Sequence, residues 1–244
     1  MQNFVRTTIA VNAPRFTIVS TCPDPWGGSE ELWSGAAQVL AANGHRLSIF
    51  KTSLDKAHPR IQQLKSLSCT VRNLRRLPRL QSLATLSHLL FLAAHLKARR
   101  PDLVVVAQGD NYDGLHFGHL CRKLRIPYVL ISQKAADHFW PPDKSRRHRC
   151  EVFAGAVRCF FVSEHNRHLT EEQNGMTLTN AEVVRNPYLA GADGPLPWPG
   201  REMECLRLAC VARLYLLDKG QDILLRALAR EQWSRNRLRS AMAC

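Results

Sequence analysis

Phe16-Thr-Ile-Val-Ser-Thr21 is a run of apolar and β-branched residues, and Trp26-Gly27-Gly28-Ser29 follows it in a short loop. Such a run is typical of a strand. Residues with helical spacing come next, and Gly44 suits the left-handed position that ends a helix. Ser29 is the expected N-cap of that helix, with Glu30 and Glu31 in its first turn. Because Arg46-Leu-Ser-Ile-Phe50 again resembles a strand, the segment predicts a strand–loop–helix–strand unit.

The same alternation continues along the chain. Further short apolar runs predict strands, and segments with a helical pattern lie between them, the clearest near residues 115–124 and at 164–173, where Ser163 is the expected cap. Strands that alternate with helices imply a parallel, doubly wound, Rossmann-like sheet. The predicted strands are residues 103–107, 128–131, 159–162 and 182–184.

The pattern is interrupted once and then restarts. Residues 190–201 contain three prolines and three glycines, which is typical of a linker. A strand at 206–211 and a helix at 221–229 follow, whereas residues 234–244 show neither a strand nor a glycine loop. We therefore expect a complete domain at 1–189, a linker at 190–201, and an incomplete second Rossmann-like domain at 202–244. A segment that short cannot bury a core of its own.

The charge of the chain predicts an anionic partner. Its 244 residues include 34 Lys and Arg but only 20 Asp and Glu, for a formal net charge of +14. Nucleic acid, a lipid surface and phosphorylated small molecules all fit this excess. The sequence lacks the helix-turn-helix, zinc-finger and aromatic RNA-binding patterns, so we expect no specific nucleic acid. A basic nucleic-acid-binding protein remains the less favoured alternative.

Residues 72–100 combine leucines spaced three apart with basic residues at both ends. The simpler interpretation is a helix, starting near Arg79, that packs on the sheet and has a solvated basic end. The alternative is a basic amphipathic face that docks on anionic lipid headgroups and makes the protein membrane-peripheral.

The cysteines and the apolar runs indicate a cytoplasmic protein. Eight cysteines are scattered without a C-x-x-C pair, and the N-terminus does not resemble a signal peptide. We expect reduced thiols that mostly fill the core. The longest nearly apolar run, residues 83–96, is shorter than the roughly 20 residues that a membrane span requires.

Two short segments have the composition of an anion site. Arg213 lies just past a predicted strand, and Lys219 is expected at the start of the next helix, where an anion would be bound by both cations and the helix amides. Gly27 and Gly28 would let the backbone approach a phosphate or sugar closely, although G-x-G-x-x-G is absent. Two solvated surface cations and a plain tight turn are the simpler alternatives, and the glycine spacing makes a dehydrogenase less favoured.

Three segments in order resemble one family. Gly27-Gly28-Ser29-Glu30 resembles the glycine loop of glycosyltransferase family 4 enzymes with the GT-B fold. Val183-Val-Arg-Asn-Pro187 is similar to the V-x-x-N-G/P segment that ends their N-terminal domain. Val211-Ala-Arg-Leu214 with Lys219-Gly-Gln-Asp222 resembles their G-R-L-x(n)-K-G-x-D donor motif.

The resemblance implies a sugar transferase. Its N-terminal domain would hold a glycan, lipid or small-molecule acceptor, and its C-terminal domain a nucleotide-sugar donor across a cleft. Arg213 and Lys219 match the positions that bind the donor diphosphate, opposite the glycine loop. The family typically retains anomeric configuration and needs neither metal nor cofactor. Because the family's E-x(7)-E motif is absent before Cys244, we expect this chain to bind donor poorly; a non-catalytic binding domain is the alternative.

Three polar residues are candidates for the reacting centre. Asp110 follows the strand predicted at 103–107, and His138 lies in the segment after the strand at 128–131. Ligands bind at such carboxyl ends of parallel strands, so either could contact the acceptor or the reacting sugar. Asn186 could line the cleft. Structural hydrogen bonding and an Asn-Pro turn are the alternatives for these three residues.

Overall fold

The computed structural model describes residues 13–74, 81–188, 206–230 and 238–243. The chain divides into two compact units, Met1–Tyr188 and Leu189–Cys244. The linker expected at 190–201 lies outside the described residues. Within the described ranges, no helix combines the length and the apolar character needed to cross a membrane.

A seven-stranded sheet forms the first unit, and all its strand pairs are parallel. Its spatial order is β3-β2-β1-β4-β5-β6-β7, which confirms the predicted doubly wound, Rossmann-like fold. β1 pairs with both β2 and β4, so the chain progresses outward from the centre in two directions. The strands are β1 (Arg15–Ser20), β2 (Arg46–Lys51), β3 (Thr70–Asn73), β4 (Leu103–Gln108), β5 (Tyr128–Ser132), β6 (Arg158–Phe161) and β7 (Ala181–Val183).

Six α-helices connect the strands of the described first unit: α1 (Ser29–Ala42), α2 (Pro59–Ser66), α3 (Gln81–Arg99), α4 (Leu115–Leu124), α5 (Arg146–Ala154) and α6 (Glu164–Asn174). Ser163 caps α6 as expected, since its hydroxyl accepts a hydrogen bond from the Asn166 amide at 3.1 Å. Gly44 (φ +82°) and Gly175 (φ +60°) take the left-handed conformation just after α1 and α6.

Two hydrophobic cores cover the two faces of the sheet. Successive strand residues point to opposite faces, and in β1 Ile18 joins one core while Val19 joins the other. The core of Ile18 also contains Trp33 of α1 and Ile61 of α2. The other core draws on the remaining connections, with Leu92 of α3, Phe117 of α4 and Phe153 of α5.

The basic segment 72–100 contains the expected helix, whose start lies close to the predicted start near Arg79. Arg72 lies in β3, because residues 70–73 pair with the edge of β2, and the helix α3 begins at Gln81. The cations expected at its start, Arg75, Arg76 and Arg79, lie outside the described residues. Those at its end, Lys97, Arg99 and Arg100, are exposed.

The second unit contains a two-stranded parallel sheet of β8 (Leu206–Val211) and β9 (Leu238–Ala243). The expectation that no strand follows residue 234 was therefore wrong. The short run Leu-Arg-Ser-Ala-Met-Ala pairs along all six residues of β8, an interaction that its weak apolar pattern does not predict. The described residues between these strands form two helices, α7 (Leu216–Lys219) and α8 (Gln221–Leu228).

Candidate functional site

The candidate site of the first unit lies at the carboxyl edge of the sheet. β1 and β4 are neighbours in the sheet, yet the chain leaves them towards opposite sides, to β2 and to β5. Such a reversal opens a crevice beyond the strand ends, which is the usual place for a ligand in an open parallel sheet. The loops after β1, β4, β5 and β7 carry Gly28, Asp110, His138 and Asn186 to this edge.

The glycine loop enters α1 without a side-chain cap. Gly28 is the N-cap in a helical conformation (φ −58°, ψ −27°), and Ser29 is already the first helical residue, so the expected Ser29 cap was wrong. The amides of Glu30 and Glu31 instead donate to the carbonyls of Gly27 and Gly28, at 2.9 and 3.4 Å. A Cβ on Gly28 would meet no atom within 4 Å, so packing within the chain does not demand glycine there.

A buried ion pair holds the glycine loop from below. Lys51 Nζ lies 2.7 Å from Glu30 Oε2, and both side chains are almost fully buried. The Ser20 hydroxyl donates to Glu30, and Lys51 also donates to the Asp24 carbonyl at 3.0 Å. The end of β2 is thus tied to the start of α1 and to the loop between β1 and α1. Sequence reasoning missed this pair; a lysine ending an apolar strand was its only signal.

Gln133, in the loop after β5, connects the glycine loop to Asn186. Its side-chain amide donates to the Ser29 carbonyl at 3.3 Å, and its amide oxygen accepts a hydrogen bond from Asn186 Nδ2 at 2.8 Å. The start of α1 and the segment after β7 therefore meet through one side chain. The structure therefore brings Asn186 close to the start of α1, next to Gly28. The residue that joins them, Gln133, was not among the predicted site residues.

Asp110 is placed in an ion pair on the loop after β4. Lys134 Nζ lies 3.5 Å from Asp110 Oδ1; Asp110 is exposed and Lys134 is half-buried. Gln108, buried at the end of β4, shapes this loop by donating to the carbonyls of Asn111 and Asp113, at 3.0 and 2.7 Å. Because Lys134 neighbours Gln133 in sequence, one loop contacts both the glycine side and the aspartate side of the edge.

Asp113 carries a perturbed carboxyl group beside Asp110. Burial is the main cause that raises its pKa above the usual aspartate range, and the nearby Asp110 charge adds to the rise. Asp113 Oδ2 accepts a hydrogen bond from the Asp110 amide at 3.2 Å. This carboxyl therefore shapes the loop that presents Asp110.

His138 is exposed on the loop after β5. No hydrogen bond or ion pair joins it to Asp110 among the described residues, so the structure does not bring these two candidates together. Their catalytic role stays a prediction. Within the same ranges, no group of three or more His, Cys, Asp or Glu side chains is placed to hold a metal ion.

In the second unit, Arg213 follows β8 and is tied to the start of α8. The buried Gln221 side chain donates to the Arg213 carbonyl at 2.8 Å, and the guanidinium lies 6.0 Å from the Tyr215 ring centroid. Lys219 does not begin a helix as expected but ends the four-residue helix α7, because Gly220 (φ +62°) interrupts the chain before α8. Both cations are exposed, and their donor-binding role stays a prediction.

The family profile of the glycosyl transferase 4-like domain matches residues 27–187 of this chain. That range is well over half of the chain. The chain therefore belongs to the glycosyltransferase 4-like family. The matched range begins at Gly27 and ends at Pro187, so the glycine loop, Asp110, Gln133 and Asn186 all lie within the glycosyltransferase 4-like domain.

Solved structures with similar folds include a galactosyltransferase and two further proteins. The lipopolysaccharide outer core galactosyltransferase WaaB aligns with a TM-score of 0.64 at 19% identity, over 93% of this chain and 60% of that one. HepE from Anabaena, in complex with UDP and glucose, aligns with a TM-score of 0.60 at 15% identity over the same shares. MurG from Acinetobacter baumannii aligns with a TM-score of 0.51 at 14% identity, over 94% of this chain and 65% of that one.

These likenesses establish the GT-B type of Rossmann-like fold for the glycosyltransferase 4-like chain. The chain spans about 60% of the length of WaaB and of HepE. Comparison with curated protein sequences gives no significant match.

Proposed function

We propose that this protein transfers a sugar from a nucleotide-sugar donor to an acceptor. The observation that carries the proposal is the cluster at the carboxyl edge, where Gln133 joins the glycine-loop helix start to Asn186 inside the matched glycosyltransferase range. The UDP-bound and UDP-glucose-bound structures of HepE, a protein of similar fold, support a nucleotide-sugar donor.

In the proposed reaction, an acceptor hydroxyl oxygen forms a bond to the anomeric carbon of the sugar, and the bond from that carbon to the donor diphosphate breaks. The bonding electron pair leaves with the diphosphate, where Arg213 and Lys219 would stabilise the growing charge. Asp110 or His138 would receive the hydroxyl proton. As the family resemblance implies, the transfer retains anomeric configuration and uses no metal ion or cofactor.

Donor binding is tested with the whole chain and two matched glycine variants. Gly28→Ala adds a methyl group at the glycine loop, and Gly35→Ala adds one on the exposed side of α1; neither meets an atom within 4 Å. Because this chain is expected to bind donor poorly, UDP or GDP is supplied in large excess, and it should then raise the melting temperature of the native protein. Gly28→Ala should lower the affinity for the nucleotide about tenfold, because the added methyl group keeps the nucleotide from approaching the backbone closely. Gly35→Ala should leave that affinity unchanged.

Three outcomes decide the proposal. Nucleotide protection that Arg213→Ala and Lys219→Ala abolish, together with sugar transfer that persists in EDTA, supports it. Protection without transfer to any acceptor favours a non-catalytic binding domain. The proposal is refuted if UDP and GDP leave the melting temperature unchanged and the protein binds DNA tightly, with an affinity that falls steeply as salt is added. That result would favour the nucleic-acid alternative.

An exposed apolar surface on α3 supports a membrane-associated acceptor. Leu86 (51%), Leu90 (63%) and Phe91 (45%) are unusually exposed apolar side chains, and the helix ends in exposed cations at Lys97 and Arg99. An apolar face next to cations is the composition that binds anionic bilayers. We include reversible membrane contact through α3 in the proposed function.

The membrane contact is measured by co-sedimentation with vesicles. Phosphatidylglycerol vesicles should retain the native protein better than phosphatidylcholine vesicles. Leu90→Glu should weaken that binding about tenfold, whereas Val39→Glu, at a similarly exposed position (62%) on α1, should not. Equal losses in the two variants would show that α3 is not the contact surface.

A further inference from the structure

An exposed aromatic pair lies on the loop after β5. Phe139 and Trp140 are 54% and 59% exposed, in the same loop that carries Gln133, Lys134 and His138 at the carboxyl edge. Neighbouring exposed aromatic side chains often mark an interaction site, since each ring can bury a large apolar area there. The pair has no role in the donor-binding part of the proposed function.

Buried polar side chains hold this loop from beneath. Gln173 of α6 donates to the carbonyls of Ala136 and Phe139, at 3.1 and 2.9 Å, and accepts a hydrogen bond from the Tyr112 hydroxyl at 2.6 Å. Arg149 of α5 is 3% exposed and donates to the Pro142 carbonyl at 2.9 Å. The aromatic pair is therefore presented on a fixed loop.

Asn174 joins the two anchors into one network. Its side-chain oxygen accepts a hydrogen bond from Arg149 Nε at 2.8 Å, and its amide nitrogen lies 3.4 Å from the Tyr112 hydroxyl. The Arg149 guanidinium also lies 5.3 Å from the Tyr112 ring centroid. The loop backbone is thus fixed by side chains from α5, α6 and the loop after β4.

The surroundings of the pair are polar rather than apolar. The Trp140 indole N–H donates to the Asp137 carbonyl at 3.0 Å, so its one polar atom is already engaged. Asp137 also pairs with His165 at 3.4 Å, and both side chains are largely exposed. Asp137 and His138 directly precede the two aromatic residues in the same loop, and both are exposed. A surface that combines aromatic rings with such polar groups suits a ligand with C–H surfaces and hydroxyl groups, which is a saccharide. A lipid chain would meet charged neighbours there.

We propose that Phe139 and Trp140 form the platform that binds the sugar of a carbohydrate acceptor. This inference rests on the proposed function, because it assigns the acceptor class of the same edge. Sugar C–H groups stack on the electron-rich ring faces, and Asp137 with His165 supplies partners for the hydroxyl groups. The rigid loop lowers the entropic cost of forming that contact.

The test measures, by saturation-transfer NMR, the binding of methyl glycosides of glucose, galactose and N-acetylglucosamine to the whole chain. Trp140→Ala and Phe139→Ala should each lower the affinity for the tightest-binding glycoside about fivefold or more. Trp140→Phe keeps a ring face and should retain binding. Val157→Ala, which removes an exposed apolar side chain just before β6, should also retain binding.

The outcomes separate the acceptor platform from the donor proposal. Glycoside binding that depends on Trp140 supports the platform even if UDP protection fails, because the platform belongs to the first unit alone. Equal glycoside binding by the native protein and Trp140→Ala overturns it. Absence of any glycoside signal, or protection of Trp140 from acrylamide quenching by phosphatidylglycerol vesicles alone, also overturns it, and the latter indicates a lipid contact instead.

Discussion

Acidification should destabilise the protein through His116 of α4. Burial is the main cause that lowers the pKa of His116 to about 4, and the nearby imidazoles of His88 and His148 lower it further when they are charged. The folded protein therefore keeps this ring neutral, whereas the unfolded chain protonates it near the ordinary value of about 6.5. Stability from this group is complete above that ordinary value and is lost as pH falls from there towards about 4.

The size of the effect follows from the two pKa values. At pH 7.5 the imidazole is neutral in both states, so it contributes nothing to the pH dependence. At pH 5 it is almost fully protonated in the unfolded chain and almost fully neutral in the folded protein. The linkage relation then gives a loss of about 2 kcal/mol in the free energy of unfolding between these pH values. For a chain of this size, that loss lowers the melting temperature by about 4–8 °C.

Urea denaturation at pH 7.5 and pH 5 measures this loss. His116→Gln should reduce the difference in free energy of unfolding between the two pH values by about 2 kcal/mol. Part of the pH-dependent loss of stability should remain in this variant, because burial also lowers the pKa values of His95 and His119. His138→Gln, at an exposed histidine, is the matched control and should behave like the native protein. Equal pH differences in the native protein and His116→Gln would refute the reasoning.

Three further predictions concern stability and use urea denaturation of each variant beside the native protein. Gly118→Ala should cost about 1–3 kcal/mol, because its Cβ would lie 2.7 Å from Val152 and force α4 away from α5; an unchanged midpoint would contradict this close packing. Glu30→Gln should cost about 3–5 kcal/mol, since it leaves the buried Lys51 charge without its partner. Ser163→Ala should cost about 1 kcal/mol by removing the cap of α6, and Ser163→Thr should recover most of it.

The central strands could be predicted from sequence because they are buried on both faces. β4 and β5 are continuous apolar runs, and such runs reveal parallel strands that helices cover on both sides. The helix α4 was predicted with the bounds that the structure has. The amphipathic spacing of its residues and the flanking turn at Pro127 are local signals, which need no knowledge of distant partners.

The peripheral elements could not be predicted in the same way. β3 is a four-residue edge strand, Thr-Val-Arg-Asn, that exists because the edge of β2 offers hydrogen bonds. α2 and α5 are short and largely polar, with few buried apolar residues in each. β9 likewise depends on pairing with β8 rather than on its own weak pattern.

The parts of the candidate site were predicted, but their connections were not. Gly28 and Asn186 were each identified from local motifs, whereas Gln133 reaches a carbonyl 104 residues earlier and an amide 53 residues later. Contacts between residues so distant in sequence leave no local pattern. The same holds for Glu30 and Lys51, whose role depends on both being buried at one point beneath the loop.

Buried polar groups hold both loops that carry the proposed ligand contacts, in addition to apolar contacts such as that of Trp26 with the core of Ile18. Lys51 anchors the loop after β1, and Arg149 with Gln173 anchors the loop after β5. Buried ions and amides are costly unless every partner is in place, and apolar replacements of similar volume are often at least as stable. Hydrogen bonds, however, are directional, so they hold a backbone carbonyl at one position, which apolar contacts do not. Their concentration beneath these two loops therefore fits the proposed role of the sheet edge in positioning a ligand.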